Sequence, residues 1–150
     1  MLKTAKLGHI LSSAMRSFKV LVVDDFEAFR EYVSFILQET AQFQVVGQAS
    51  DGFEAVQKAR EHQPDLILLD IGLPNLNGIE ALKRISLAAP RSRILFLSHY
   101  EDQAVVSSAL SGSSYGYILK SDASRELLPA LASVLRGQIY VSSGLASATA

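Results

Sequence analysis

A chain of 150 residues with 49% apolar side chains can build one compact domain with little to spare. Its net charge of -1, with acids and bases mixed along the chain, lacks the basic bias that binds a phosphate backbone, so nucleic-acid binding by this chain alone is not expected. With no cysteine it forms neither a disulfide nor a thiolate metal site, which fits the cytoplasmic location expected here, and no apolar run reaches the ~18 residues of a membrane span.

Residues 1 to 17 begin with basic residues, but their apolar stretch is broken by Gly8, His9, Ser12 and Ser13, which favours a cytosolic N-terminal extension over a secretion signal. Leu7, Ile10, Leu11, Ala14 and Met15 have helical spacing, so the extension is either an extra amphipathic helix or a frayed arm. From Phe18, short apolar runs alternate with stretches of helical period, the pattern of a parallel sheet wrapped by helices. KVLVV (19–23) predicts a first strand, and Phe29, Tyr32, Val33, Ile36 and Leu37 a helix after it. QVVGQA (44–49) predicts the second strand, followed by a weaker helix carrying Phe53 and Val56 that Pro64 closes. LILL (66–69) is the third, followed by a helix with Ile79, Leu82 and Ile85. ILFL (94–97) is the fourth, followed by Val105, Val106, Ala109 and Leu110; YIL (117–119) is the fifth, followed by Leu127, Leu128, Leu131, Val134 and Leu135. Most strands are continuously apolar, as expected when both faces are covered. Gly112 and Gly137 stand where the last two helices should stop, in left-handed conformation. Residues 139 to 150, small and Ser/Ala-rich, read as a linker or tail, leaving one domain over 18–138.

In an open parallel sheet, groups at the carboxyl ends of the strands converge on one crevice. Here the first strand ends in Asp24 and Asp25, the third in Asp70, the fourth in Ser98 and the fifth in Lys120. Two carboxylates about 4 Å apart repel by roughly 4 kcal/mol at an effective dielectric near 20, so three of them require a cation or protonation. A donor set of oxygens without His or Cys points to Mg²⁺ or a similar hard ion, and magnesium keeps waters and accepts phosphate oxygens. An Asp carboxylate can attack phosphorus to form an acyl phosphate, and the metal and Lys120 would neutralise the transferring oxygens. Taken singly, each residue has a plain structural use. Asp25 would cap a helix, Asp70 a turn before Pro74, Ser98 would be a loop hydroxyl and Lys120 a solvated charge. The joint pattern on successive strand ends carries the functional reading.

The motifs VLVVDD, LILLDIGLPNLNGIE, ILFLSHYED and GYILK, taken together, resemble those of bacterial two-component response-regulator receiver domains over 18–138. The resemblance implies an α/β, flavodoxin-like, doubly wound five-stranded parallel sheet of order 2-1-3-4-5 with helices on both faces. It implies that Asp70 is the phosphoacceptor, that Asp25 and Asp70 hold Mg²⁺ with the backbone carbonyl of Gly72, and that Asp24 acts through a metal-bound water. Lys120 would contact a phosphoryl oxygen, Ser98 would swing to hydrogen-bond it, and Tyr117 resembles the aromatic switch that then turns inward. The implied partners are a sensor histidine kinase and a homodimer or other partner on the face of the fourth helix, fifth strand and fifth helix. The chain would be a signalling phosphoacceptor, not an enzyme acting on external substrates. SHYED, GYILK and LRGQIYVS are most similar to receivers that precede a LuxR-type helix-turn-helix domain, so DNA contact and transcription control would fall to a C-terminal domain absent here. Ser121 stands where many receivers have Pro, so no cis-proline is expected after Lys120, and Gly72, His99 and Tyr100 occupy positions that tune phosphoryl lifetime. His99 itself is expected to be a plain loop residue.

Three other readings compete. An Asp-nucleophile phosphohydrolase of the haloacid-dehalogenase type needs a second Asp two residues on, where Gly72 stands. A flavodoxin-like or dinucleotide-binding protein needs a glycine-rich loop after the first strand, where DDFEAF stands. A pseudo-receiver, an interaction module never phosphorylated, would leave these site positions unused.

Overall fold

The computed structural model describes residues 16–145. The chain runs β1 (Phe18–Val23), α1 (Glu27–Gln38), β2 (Phe43–Ala49), α2 (Gly52–His62), β3 (Leu66–Leu69), α3 (Gly78–Ala88), β4 (Arg93–Ser98), α4 (Gln103–Leu110), β5 (Gly116–Leu119), a 3-10 turn (Lys120–Asp122), α5 (Ala123–Leu135) and β6 (Tyr140–Val141). The expected extension of residues 1 to 17 lies outside the described residues except at its last two positions. No helix among the described residues is long and apolar enough to cross a membrane.

The sheet order is β2-β1-β3-β4-β5-β6, and every adjacent pair is parallel. Alternation along each strand sends its side chains to opposite faces, and both faces are buried. Leu21, Val23, Ile67, Leu69, Ile94 and Phe96 pack with Ala55, Ala59, Ala81, Leu82, Ile85 and Val106 of α2, α3 and α4. Val20, Val22, Leu66, Leu68, Leu95 and Ile118 pack with Val33 and Leu37 of α1 and with Leu127, Leu131 and Val134 of α5. The five expected strands and their order stand, but the sheet has a sixth. Tyr140 and Val141, in the stretch with linker composition, pair with Gly116 and Tyr117.

Local chemistry explains the element ends. Asp51, Asn77 and Asp102 cap α2, α3 and α4 by accepting from the Glu54, Glu80 and Ala104 amides. Gly137 follows α5 at φ 81 as expected, whereas Gly112 has no left-handed backbone, since α4 closes on Ser111 in right-handed conformation. Gln63 is left-handed instead at the end of α2 and ties down with side-chain bonds to the Arg60 and Ala88 carbonyls. No cis peptide bond occurs among the described residues.

Candidate functional site

The carboxyl ends of β1, β3 and β5 form one pocket of about 290 Å³ lined by Asp24, Asp25, Phe26, Asp70, Gly72, His99, Tyr100 and Lys120. The adjacency follows from the registers, which place Val23 beside Leu69 and Leu69 beside Phe96. The chain therefore leaves neighbouring strands at one rim.

Oxygens of Asp24, Asp25 and Asp70 all lie within 4.8 Å of one another, with Asp24 and Asp70 buried and Asp25 exposed. Lys120 Nζ stands 2.5 Å from Asp24 Oδ2 and 3.3 Å from Asp70 Oδ2. Lys120 is thus no solvated surface charge; its ammonium is held between two buried carboxylates and lies 4.6 Å from the centre of the Phe29 ring. Asp25 is not the helix cap either, because the residue at the cap of α1 is Phe26, which makes no side-chain cap bond. One ammonium does not balance three acids. Burial pushes the Asp70 carboxyl above its ordinary value; Lys120 pulls it back and Asp24 pushes it further, with the Gly72 amide adding a lowering hydrogen bond.

A divalent ion suits this donor set. Three hard carboxylate oxygens converge without nitrogen or sulfur ligands, and the residual negative charge calls for a cation. Gly72 lines the same pocket, and a Cβ there would come within 3.1 Å of the Tyr100 hydroxyl, so the smallest residue keeps the mouth open. Gly78 opens α3 with its amide bonded to the Ile71 carbonyl at 2.8 Å, and a Cβ there would lie 2.1 Å from the Asp70 carbonyl oxygen. Only glycine fits that approach.

Ser98 is fully buried at the end of β4 and accepts a 3.1 Å bond from the Tyr100 amide. Tyr117 is also fully buried, its ring directed inward with its hydroxyl donating to the Tyr100 carbonyl at 2.8 Å. Burial raises its phenol and a Ser98 hydrogen bond opposes that rise. All seven expected residues, Asp24, Asp25, Asp70, Gly72, Ser98, Tyr117 and Lys120, thus belong to this rim or to the strand ends that feed it. His99 is exposed at the mouth.

Two contributors escaped sequence reasoning. Arg30 donates to the Asp24 carbonyl at 2.7 Å and to Gln48 Oε1 at 3.0 Å, holding the acidic turn to β2. Phe29 supplies the ring under Lys120. Phe29 was legible only as part of the apolar stripe of the helix, and Arg30 only by its position about one helical turn after the acidic pair.

The family model for the response regulator receiver domain matches residues 20–132. The oxygen regulatory protein NreC of Staphylococcus haemolyticus is 36% identical over 124 residues, 82% of this chain and 57% of that protein. The transcriptional regulatory protein DegU of Brevibacillus brevis is 34% identical over 123 residues, 82% of this chain and 52% of that protein. The chain therefore spans about half the length of these curated relatives. Among solved structures, a LuxR-family two-component response regulator from Aurantimonas sp. aligns with a TM-score of 0.81 at 31% identity, covering 87% of this chain and 94% of that one. The signal receiver domain of NarL from Mycobacterium tuberculosis aligns at 0.77 and 30%, covering 81% and 98%. Motifs, fold, rim geometry and relatives converge, and the chain belongs to the receiver domain family of two-component response regulators.

Proposed function

We propose that this receiver takes a phosphoryl group onto Asp70 from a phosphohistidine of a sensor kinase, in a pocket holding Mg²⁺. The observation that carries the reading is the single ammonium of Lys120 placed 3.3 Å from Asp70 and 2.5 Å from Asp24, inside a three-carboxylate cluster within 4.8 Å. An Asp70 oxygen forms the new P–O bond, the P–N bond of the donor breaks, and the imidazole leaves with the electron pair. Bound Mg²⁺ would neutralise charge on the transferring oxygens. Asp25 and Asp70, with the Gly72 carbonyl, are the protein groups that would hold it, and Asp24 would orient a water of its shell. Lys120 binds a phosphoryl oxygen, and Ser98 directs its hydroxyl hydrogen to another. The added charge of about -1.5 to -2 and its strong acceptors then favour one arrangement of the Ser98–Tyr100 loop and of Tyr117. The process belongs in the cytoplasm, where kinase and regulator meet, and output through DNA would fall to a following domain, a reading supported by relatives of similar sequence that carry the name transcriptional regulatory protein.

Incubation with acetyl phosphate and Mg²⁺ followed by intact mass tests the reading. Wild type is expected to gain one phosphoryl group, lost on mild base treatment, and Asp70→Asn is expected to gain none. A wild-type chain that stays unmodified with acetyl phosphate and with several histidine kinases would instead be a pseudo-receiver. Turnover of an external phosphomonoester would make it a hydrolase.

A further inference from the structure

The stretch after Gln138 has the composition of a linker, yet it is fastened at Tyr140, Ser142, Ser143 and Leu145. Tyr140 N donates to the Tyr115 carbonyl at 3.0 Å and Ser142 N to the Tyr117 carbonyl at 2.8 Å, adding β6 to the edge of β5. The Tyr140 hydroxyl donates to Glu126 Oε1 at 2.6 Å, and Ser143 donates to Glu126 through both its amide, 3.0 Å, and its hydroxyl, 2.7 Å. The Ser142 hydroxyl is fully buried and donates to Asp122. Leu145 is only 2% exposed, in the same apolar cluster as Tyr117 and Leu119. The receiving edge is shaped for this segment. Gly116 has φ +148, and a Cβ there would lie 2.0 Å from the Tyr140 carbonyl oxygen, so a larger residue would evict the strand.

This segment touches the residue that leads back to the acidic pocket. Val141 pairs with Tyr117, the Tyr117 hydroxyl holds the Tyr100 carbonyl, and the Tyr100 amide holds Ser98 Oγ. We propose that the β5 edge is a docking groove for the chain's own residues 140–145, and that seating of this strap and loading of a phosphoryl group on Asp70 favour each other. The second half rests on the phosphoacceptor reading above.

The direction of the coupling follows from one hydrogen. Ser98 accepts from Tyr100, and its single hydroxyl hydrogen can go to Tyr117 or to an acceptor in the pocket. A phosphoryl oxygen that takes this hydrogen fixes Ser98, and with it the Tyr100 carbonyl that receives the Tyr117 hydroxyl. Tyr117 is thereby kept inward, within the apolar cluster that also holds Leu145 and against which Val141 packs. Linkage is reciprocal, so a seated strap raises the affinity of the pocket by the factor by which loading tightens the strap. A strap seated in cis also occupies the β5 edge that a second copy would need for strand pairing.

Amide hydrogen exchange on the full chain, with and without Mg²⁺ and beryllium fluoride as phosphoryl mimic, tests both halves. The Tyr140 and Ser142 amides should be protected without the mimic, independently of protein concentration, and their exchange should slow by roughly 5-fold or more when it binds. Tyr140→Phe/Ser143→Ala, which alters only the strap, should lose that protection and bind the mimic more weakly by a similar factor. Free exchange at both amides in wild type would overturn the groove, and protection that rises with concentration would assign the occupant to another copy. Equal binding of the mimic by wild type and double variant, or unchanged exchange on binding, would overturn the coupling while leaving the phosphoacceptor reading intact. Failure of wild type to bind the mimic at all would overturn that reading and the coupling with it, while strap protection would still report on the groove.

Discussion

Two acidic clusters flank the short turn from Lys120 to Asp122, and they settle their charge in opposite ways. Asp70 and Glu126 are both largely covered, at 6% and 8% exposure, but Asp70 sits deeper in the protein and Glu126 close to its surface, and burial pushes both carboxyls upward. Around Asp70 the compensation is one ammonium shared with Asp24, and the carboxyl stays above its ordinary value. Around Glu126 the Tyr140 hydroxyl and the Ser143 hydroxyl and amide all donate, and Arg125 adds charge. These outweigh burial, and the carboxyl lies below its ordinary value. Depth and donor supply together set the sign. The saturated cluster has the character of a fastener, and the other that of a donor set suited to a cation.

The sharpest break in that contrast is Lys120→Met. It removes the only ammonium from two buried carboxylates and is expected to lower stability by about 3–5 kcal/mol in the presence of a chelator. Urea midpoints with and without Mg²⁺ check it, since Mg²⁺ should restore part of the loss; no loss in chelator would mean that the two acids are solvated after all. Next in size is a pair of isosteric changes with opposite signs. Glu126→Gln removes charge from an oversupplied acceptor and should destabilise by about 2 kcal/mol. Asp70→Asn removes charge from a carboxyl the fold holds in its less favoured form and should stabilise, by less. Same-sign effects in chelator would end the comparison.

The smallest effect is the pH response of the strap, followed through the Tyr140 and Ser142 amides. The groups facing it are Glu126, Asp122 and Arg125 on the α5 side and Tyr140 on the strap. Glu126 lies below the ordinary 4.5 when docked, so its contribution is present above that value and lost as pH falls below it. Tyr140 is pushed from about 10 up to about 12, first by burial and then by the Glu126 bond and charge. Its contribution is complete below 10 and disappears as pH rises through 12. The strap should therefore be tightest across the neutral range and loosen at both extremes.

Legibility from sequence followed the length scale of the interactions. The five principal strands were readable because continuous apolar runs such as Leu66–Leu69 have few uses other than a strand covered twice. Asp24, Asp25, Asp70 and Lys120 were readable because topology alone brings strand ends to one rim. Tyr140–Val141 was not, since a two-residue strand has no periodicity and its anchors, Gly116 and Glu126, lie on other elements. The support of Phe29 and Arg30 was hidden for the same reason, their partners being Lys120 and Gln48. Gly112 shows the reverse error: a glycine near a helix end permits a left-handed stop without demanding one, and Gln63 with its three carbonyl contacts took that conformation instead.

The contact at Gly78 has a reach beyond its size. Because the backbone oxygen it approaches belongs to Asp70, one methyl group added on α3 would displace the Asp70 backbone, and with it the carboxyl in the pocket, without touching any group there. Whoever engineers this helix, or grafts it onto another scaffold, inherits a lever arm: its first residue sets the aim of a side chain just beyond the end of the neighbouring strand.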